Sequence, residues 1–179
     1  MNNSIQHIPI MKNEPVLSYA PGSLEKKQVK AALKTLKEQV LEINMIINGQ
    51  EVSGVERIAI HPPHDIKHVL GYYQKGDATH VRSAIQAAMD AKPDWENMRW
   101  EDRASIFLKA ADLISGRYRA MTNAMTMLGQ SKNIFQAEID AVCEFCDFLR
   151  FNVQFLTEIY NTQPQSAPLI WNKMEYRAL

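Results

Sequence analysis

The stretch that decides the fold is Gly129-Gln-Ser-Lys-Asn-Ile-Phe-Gln-Ala-Glu-Ile-Asp-Ala-Val-Cys-Glu-Phe-Cys-Asp-Phe-Leu-Arg-Phe-Asn152. Apolar side chains recur in it and just beyond it at spacings of three and four, which predicts one long helix from about Ile134 to Tyr160. The predicted core side comprises Phe135, Ile139, Val142, Cys146, Leu149, Val153, Leu156 and Tyr160. The predicted solvent side comprises Gln136, Asp140, Glu144, Asp147, Gln154 and Glu158.

Three more helices are predicted on the N-terminal side of this stretch. Asp77 is a suitable N-cap for the first, which we expect to end before Pro93 because proline cannot continue the backbone hydrogen bonds. The second runs from about Glu101 to Ser115, with a glycine directly after it. The third is shorter and ends at Gly129. Their predicted core faces hold Val81, Ala84, Ile85 and Ala88 in the first, Ala104, Phe107, Leu108, Ala111 and Ile114 in the second, and Ala120, Met121, Ala124, Met125 and Leu128 in the third.

The first half of the chain mixes an arm, a helix and short strands. Residues 1–22 are polar and interrupted by proline, which is typical of an extended arm. Ser23 is the expected N-cap of a helix to about Glu42, whose apolar side is Val29, Leu33, Leu36 and Val40. Residues 45–52 form a predicted β-hairpin that turns at Asn48-Gly49. Two further strands are expected at 55–60 and 67–73.

The C-terminal segment is predicted to be a linker followed by a strand. Residues 163–168 are rich in proline and glutamine, while residues 169–179 carry Ile170, Trp171 and Tyr176 in an alternating pattern. We expect 169–179 to be one strand or half of a hairpin, cut off before its partner. Such an edge can pair with another chain, so the segment predicts a homo-oligomer that forms through it.

These stretches resemble the N-terminal part of the 1-pyrroline-5-carboxylate dehydrogenases, a subfamily of the aldehyde dehydrogenase superfamily. The resemblance rests on Arg103-Ala-Ser-Ile-Phe-Leu-Lys-Ala-Ala-Asp112, on Gln136-Ala-Glu-Ile-Asp140 and on Trp171-Asn-Lys-Met-Glu-Tyr-Arg-Ala-Leu179. It implies an α/β fold, rich in helix, with short N-terminal strands and a C-terminal strand of the oligomerisation flap. It also implies that 23–163 belong to the NAD-binding domain and that 164–179 start the oligomerisation hairpin.

The resemblance implies an activity as well. The related enzymes use NAD to oxidise L-glutamate γ-semialdehyde, which is in equilibrium with 1-pyrroline-5-carboxylate, to L-glutamate in proline catabolism. Their nucleophilic cysteine, general base and cofactor segment match positions beyond Leu179. We therefore expect no catalytic, cofactor-binding or metal-binding residue in this chain, no NAD bound to it alone, and no turnover by it alone.

Glu144 is the one site residue that the resemblance implies. It matches a glutamate of the family motif A-E-I-D-x-x-x-E, on a helix beside the channel through which the aldehyde enters. A carboxylate there is well suited to the ammonium group of the substrate. The alternative is that Glu144 is simply a solvated member of the polar side of the helix.

Other patterns favour structural roles. Cys143 and Cys146 have C-x-x-C spacing, but they lie within a helix with no second pair, so we expect inert core thiols rather than a redox or zinc site. His61, His64 and His68 lie on a turn without the spacing of helical metal ligands. No glycine-rich phosphate loop occurs.

The composition narrows the function classes further. The net charge is zero, which argues against nucleic acid or an anionic membrane as the main partner, and no apolar run is long enough to span a bilayer. Two cysteines and no recognisable targeting segment predict a cytoplasmic protein. Two alternatives to an enzyme segment remain, namely a non-catalytic binding or assembly module derived from that enzyme and a small redox or metal protein.

Overall fold

The computed structural model describes residues 10–178, which are rich in helix with five short strands. The helices are α1 (Leu24–Glu38), α2 (Ala78–Asn97), α3 (Trp100–Ser115), α4 (Arg119–Gln130), α5 (Ile134–Ala137) and α6 (Glu144–Asn161). A π-helical segment, Glu138–Cys143, joins α5 to α6 without a break. The strands are β1 (Leu41–Ile43), β2 (Met45–Ile47), β3 (Gln50–Val52), β4 (Glu56–Ile60) and β5 (Gly71–Lys75). The predicted helix-rich α/β class is confirmed.

The strands form two small sheets. Strands β2 and β3 are the predicted hairpin, and its turn residues Asn48 and Gly49 have φ of 52° and 71°, as a tight hairpin turn requires. The other sheet has the order β1-β5-β4, in which β5 pairs parallel with β1 and antiparallel with β4. The strand predicted at 67–73 begins later, at Gly71, because His68 N–H donates to the Asp65 carbonyl and keeps that part of the chain in a turn.

Helix α1 begins where predicted but ends early. The Ser23 hydroxyl accepts a hydrogen bond from Lys26 N–H at 3.3 Å, which confirms the N-cap. The helix stops at Glu38 because Leu41 N–H donates to the Leu70 carbonyl and enters β1. The predicted end at Glu42 is therefore wrong, and Val40 is exposed. The rest of the apolar side contributes to a core with α4, formed by Tyr19, Val29, Leu36, Ala124 and Leu128.

Helix α2 continues past Pro93, contrary to prediction. Asp77 and His80 form a capping box at its start, as the choice of N-cap implied. Proline removes one backbone donor, but the turn around it is held by a Lys92–Glu96 ion pair of 2.9 Å and by Asn97 Nδ2, which donates to the Pro93 carbonyl at 2.8 Å. The side chains of the predicted apolar face of α2 are exposed, so they form no core among the described residues.

The long helix is present, but its predicted register holds only from Val142 onward. Val142, Cys146 and Val153 are buried as predicted. Before Val142, Phe135 and Ile139 are exposed, and Ala137 and Glu138 are buried instead. A π-helix accommodates one extra residue, so a face extrapolated with α-helical spacing is one position out of register on its far side.

The predicted C-terminal strand does not form among the described residues. Residues 164–178 contain one isolated bridge, Ala167 to Ile170, and no strand of the described structure lies beside them. Backbone groups bond to linker side chains instead, because Met174 N–H donates to Gln163 Oε1 at 2.9 Å and Asn172 N–H donates to Ser166 Oγ at 3.0 Å.

Candidate functional site

Glu144 lies at the point where the π-helical segment ends. It is the first residue of α6, and its N–H donates to the Ile139 carbonyl, five residues back. Its side chain is exposed, and no hydrogen bond or ion pair to it is recorded within 10–178. Phe148, one turn later, is also exposed and starts an aromatic surface. The structure therefore leaves a carboxylate available to a ligand beside an apolar surface.

Glu138, six residues earlier, has the opposite environment. Its side chain is fully buried, at 0 % exposure. Its oxygens accept hydrogen bonds from Tyr19 OH at 2.6 Å, Leu17 N–H at 2.9 Å, Asn123 Nδ2 at 2.8 Å and Arg119 Nε at 3.1 Å. Arg119 Nη2 donates a further bond. These donors replace the hydrogen bonds to water that the carboxylate loses on burial.

The protonation of Glu138 follows from these contacts. Burial acts to raise the pKa of this carboxyl, but the hydrogen bonds from Arg119, Tyr19 and the Leu17 N–H outweigh burial and hold it below the ordinary value. Glu138 is thus ionised near neutral pH and pairs with Arg119. Glu138 was not among the predicted site residues, although its position four residues before Val142, on the apolar side of the helix, is a usable signal.

The N-terminal arm closes over this pair. Glu14 accepts from Arg119 Nη1 at 2.5 Å and from Arg150 Nη1 at 2.6 Å, so it bridges α4 and α6. Asp147 accepts from Glu14 N–H at 2.6 Å and fixes the arm to the long helix. We call Glu14, Arg119, Glu138 and Arg150 the charge cluster. Of the arm predicted for 1–22, residues 10–20 form no helix or strand, and 1–9 lie outside the described residues.

A second feature is an aromatic groove beyond Phe148. It has a volume of about 450 Å³, and its lining includes Trp95, Arg103, Phe107, Phe148, Asn152 and Tyr160. Arg103 is buried and donates to the Trp95 carbonyl at 3.2 Å and to Tyr160 OH at 3.1 Å. Tyr176 of the C-terminal segment stacks on Tyr160 with ring centres 5.1 Å apart. These contacts give Trp95 and Arg103 packing roles.

The family follows from comparison with known proteins. The sequence profile described as the Aldehyde dehydrogenase family matches residues 50–178 of the chain. The chain belongs to the aldehyde dehydrogenase family. The sequence-based resemblance is therefore confirmed at the level of the family and its fold.

Relatives within the aldehyde dehydrogenase family are more specific. The delta-1-pyrroline-5-carboxylate dehydrogenase of Agaricus bisporus is 50% identical over 175 residues, which are 96% of this chain and 32% of that protein. A mouse protein named as the mitochondrial form of the same enzyme is 40% identical over 167 residues, 93% of this chain and 30% of its own. The chain thus spans about a third of the length of these relatives.

Solved structures agree with this assignment. The delta-pyrroline-5-carboxylate dehydrogenase of Mycobacterium tuberculosis, bound with NAD and cobalamin, superposes with a TM-score of 0.96 at 42% identity. The superposition covers 100% of this chain and 34% of the mycobacterial one. The described residues therefore have the arrangement of the corresponding third of an aldehyde dehydrogenase.

The cysteines of this aldehyde dehydrogenase segment lie where the sequence placed them. Cys143 and Cys146 are buried within the long helix, at 4% and 0% exposure. Burial raises the pKa of the Cys143 thiol to about 11, and burial also raises the pKa of Cys146. Since a thiolate is the nucleophilic form, both groups are poorly suited to attack a carbonyl.

The three histidines of the turn make ordinary local contacts. His61 Nδ1 lies 2.9 Å from the His68 carbonyl oxygen, and His64 Nδ1 lies 2.8 Å from Ser131 Oγ. Within 10–178, no three His, Cys, Asp or Glu side chains are grouped so that they could hold a metal ion. No helix of the described chain is long and apolar enough to cross a membrane.

Proposed function

We propose that this chain forms the N-terminal third of an NAD-dependent dehydrogenase that oxidises L-glutamate γ-semialdehyde, the open form of 1-pyrroline-5-carboxylate, to L-glutamate in proline catabolism. The observation that carries the proposal is a match along nearly the whole chain to proteins with this name, at up to 50% identity. The superposition on the mycobacterial enzyme, which covers 100% of this chain, also supports it.

Within this enzyme, we assign Glu144 to the amino-acid end of the substrate. The carboxylate is exposed beside Phe148, so it can pair with an ammonium group while the aromatic surface limits access of water. A charge-assisted hydrogen bond of this kind contributes more than a neutral one. Glu144 would then select aldehydes that carry an α-amino group, without taking part in bond making.

The chemistry itself is assigned to residues outside this chain. An aldehyde dehydrogenase nucleophile must be a thiolate, and the chain's two cysteines are both buried with raised pKa. The sequence holds no glycine-rich turn to cradle a pyrophosphate, so we assign no contact with NAD to these residues. We propose that the 179-residue chain alone does not turn over the aldehyde.

The domain assignment is part of the same proposal. Residues 23–163 would belong to the NAD-binding domain, and 164–179 would begin the segment through which the enzyme forms a homo-oligomer. Exposed Ile170 and Trp171 support contact with another chain. We propose the cytoplasm as the location, and fractionation of cells with an antibody to this segment would test it, since the mouse relative is named as mitochondrial.

A chimera tests the proposed activity. The third of the Mycobacterium tuberculosis enzyme that matches this chain is replaced by residues 1–179, and NADH formation is followed with 1-pyrroline-5-carboxylate. We expect turnover by the chimera and none by the chain alone. A chimera that folds and assembles like its parent but oxidises no 1-pyrroline-5-carboxylate would contradict the proposal and favour a non-catalytic module.

A further inference from the structure

We infer that Glu138 is a positioning residue for Glu144: its buried carboxylate holds the π-helical segment in the wide form that directs Glu144 toward the ammonium group of the substrate. This inference rests on the proposed function of Glu144. It goes further by assigning a role to a group that contacts no substrate and by naming the residues through which it acts.

The extent of the wide turn supports this role. It begins at Glu138 and ends where Glu144 N–H donates to the Ile139 carbonyl, five residues back instead of four. Consistent with this spacing, Glu138 and Cys143 are both buried although five residues separate them. Each residue of an α-helix turns by about 100°. Closing the wide turn would therefore rotate Glu144 by roughly that angle relative to Glu138.

Many contacts hold the Glu138 end of the turn. Five donor groups, from Leu17, Tyr19, Asn123 and twice from Arg119, bond to the Glu138 carboxylate. They come from the N-terminal arm and from α4, so two separate segments fix one side chain. Glu144 at the other end of the turn has no recorded partner in the described structure, which leaves its direction to the backbone.

The burial of a charged side chain at this position also supports the role. Burial of the charged Glu138 costs solvation free energy. An apolar side chain of similar volume would fill the same space without that cost, so packing alone does not explain a glutamate here. Rotation of the helix by one residue would bring Ile139 toward the place of Glu138, and Arg119 would keep Glu14 but lose the Glu138 carboxylate. The charge pair thus selects one helical register over the other, and that register sets the direction of Glu144.

Removal of one hydrogen bond tests the inference with little risk to folding. Tyr19→Phe deletes the donor that lies 2.6 Å from Glu138 Oε2. Tyr160→Phe is the matched control, because it deletes a hydroxyl that Arg103 contacts at 3.1 Å at the far end of the same helix. Both are made in the active enzyme that carries this chain, with glutamate semialdehyde and 5-oxopentanoate, which lacks the amino group, as substrates.

We expect Tyr19→Phe to raise KM for glutamate semialdehyde by about 3- to 10-fold while kcat changes little. KM for 5-oxopentanoate should stay unchanged, and Tyr160→Phe should alter neither substrate selectively. In a Glu144→Gln background, Tyr19→Phe should have no further effect on KM, because the group that it positions has lost its charge.

Two outcomes would overturn the inference. One is an equal rise of KM for both substrates, which a general loss of packing would produce. The other is an effect of Tyr19→Phe that adds fully to that of Glu144→Gln. Failure of the proposed function is distinguishable, because the unmodified enzyme would then show no oxidation of glutamate semialdehyde, and the inference would fall with it.

Discussion

Two carboxylates six residues apart on one helix have opposite surroundings. Glu138 is completely buried and accepts hydrogen bonds from the N-terminal arm and from α4, whereas the side chain of Glu144 is exposed and makes no hydrogen bond or ion pair within 10–178. The wide π-helical turn separates them. A glutamate therefore stabilises the fold at one position and remains available to a ligand at the other. The local form of the helix decides which of the two occurs.

The largest expected effect is on the buried side. Arg119→Met leaves the Glu138 carboxylate buried without its cation, which should lower the free energy of unfolding by about 3–5 kcal/mol. Urea unfolding of the purified chain measures this loss. Arg57→Met is the matched control, since Arg57 pairs with Glu42 on the surface, where solvent screens the pair. Equal losses for the two variants would contradict the contrast between buried and exposed carboxylates.

Low pH should weaken the pair of Glu138 and Arg119. The pKa of Glu138 is lowered in the folded chain, so its contribution is present above the pKa of an unfolded glutamate, about 4.3, and disappears as the pH falls through the folded value. We expect the free energy of unfolding to drop steeply below about pH 4. Arg119→Met should flatten this drop, and an unchanged slope would show that other carboxylates cause it.

The reactivity of the thiols reports on whether the buried side of the wide turn stays packed. Cys143 Sγ lies 3.6 Å from Arg119 Nη2, and the pKa of this thiol is raised by burial to about 11. In the native chain, both cysteines should react with a thiol reagent at pH 8 at least about 100-fold more slowly than in urea. Fast reaction of one equivalent in the native chain would mean that the buried side opens readily.

The smallest expected effect on stability is at the exposed carboxylate. Glu144→Gln removes a charge that makes no hydrogen bond or ion pair with a described residue, so the free energy of unfolding should stay within about 0.5 kcal/mol of the parent. The urea titration used for Arg119→Met serves here too. A loss as large as that variant's would assign Glu144 to the fold.

The sequence-based predictions succeeded where neighbouring residues determine the structure. The turn at Asn48-Gly49 and the N-caps Ser23 and Asp77 depend on a few neighbouring residues, and all were predicted correctly. The end of α2 was predicted wrongly at Pro93. A proline removes one helical hydrogen bond, but two side-chain contacts across the next turn compensate for this loss.

The candidate site was harder to predict because it depends on distant partners. Glu138 was overlooked since Tyr19 and Arg119, which make its burial possible, lie in other segments. The apolar face of the long helix before Val142 was predicted one residue out of register, because the prediction assumed a uniform α-helix. Glu144 entered only through resemblance to a family, as nothing in its own spacing marks it off from the other polar residues of the helix.

The most direct test of the account measures KM of the Glu144→Gln enzyme for two substrates. We predict a rise of roughly 10- to 100-fold for glutamate semialdehyde, because a hydrogen bond to a charged group is lost, and no change for 5-oxopentanoate, which has no ammonium group. Equal KM values for parent and variant with glutamate semialdehyde would contradict the assignment of Glu144 to the substrate.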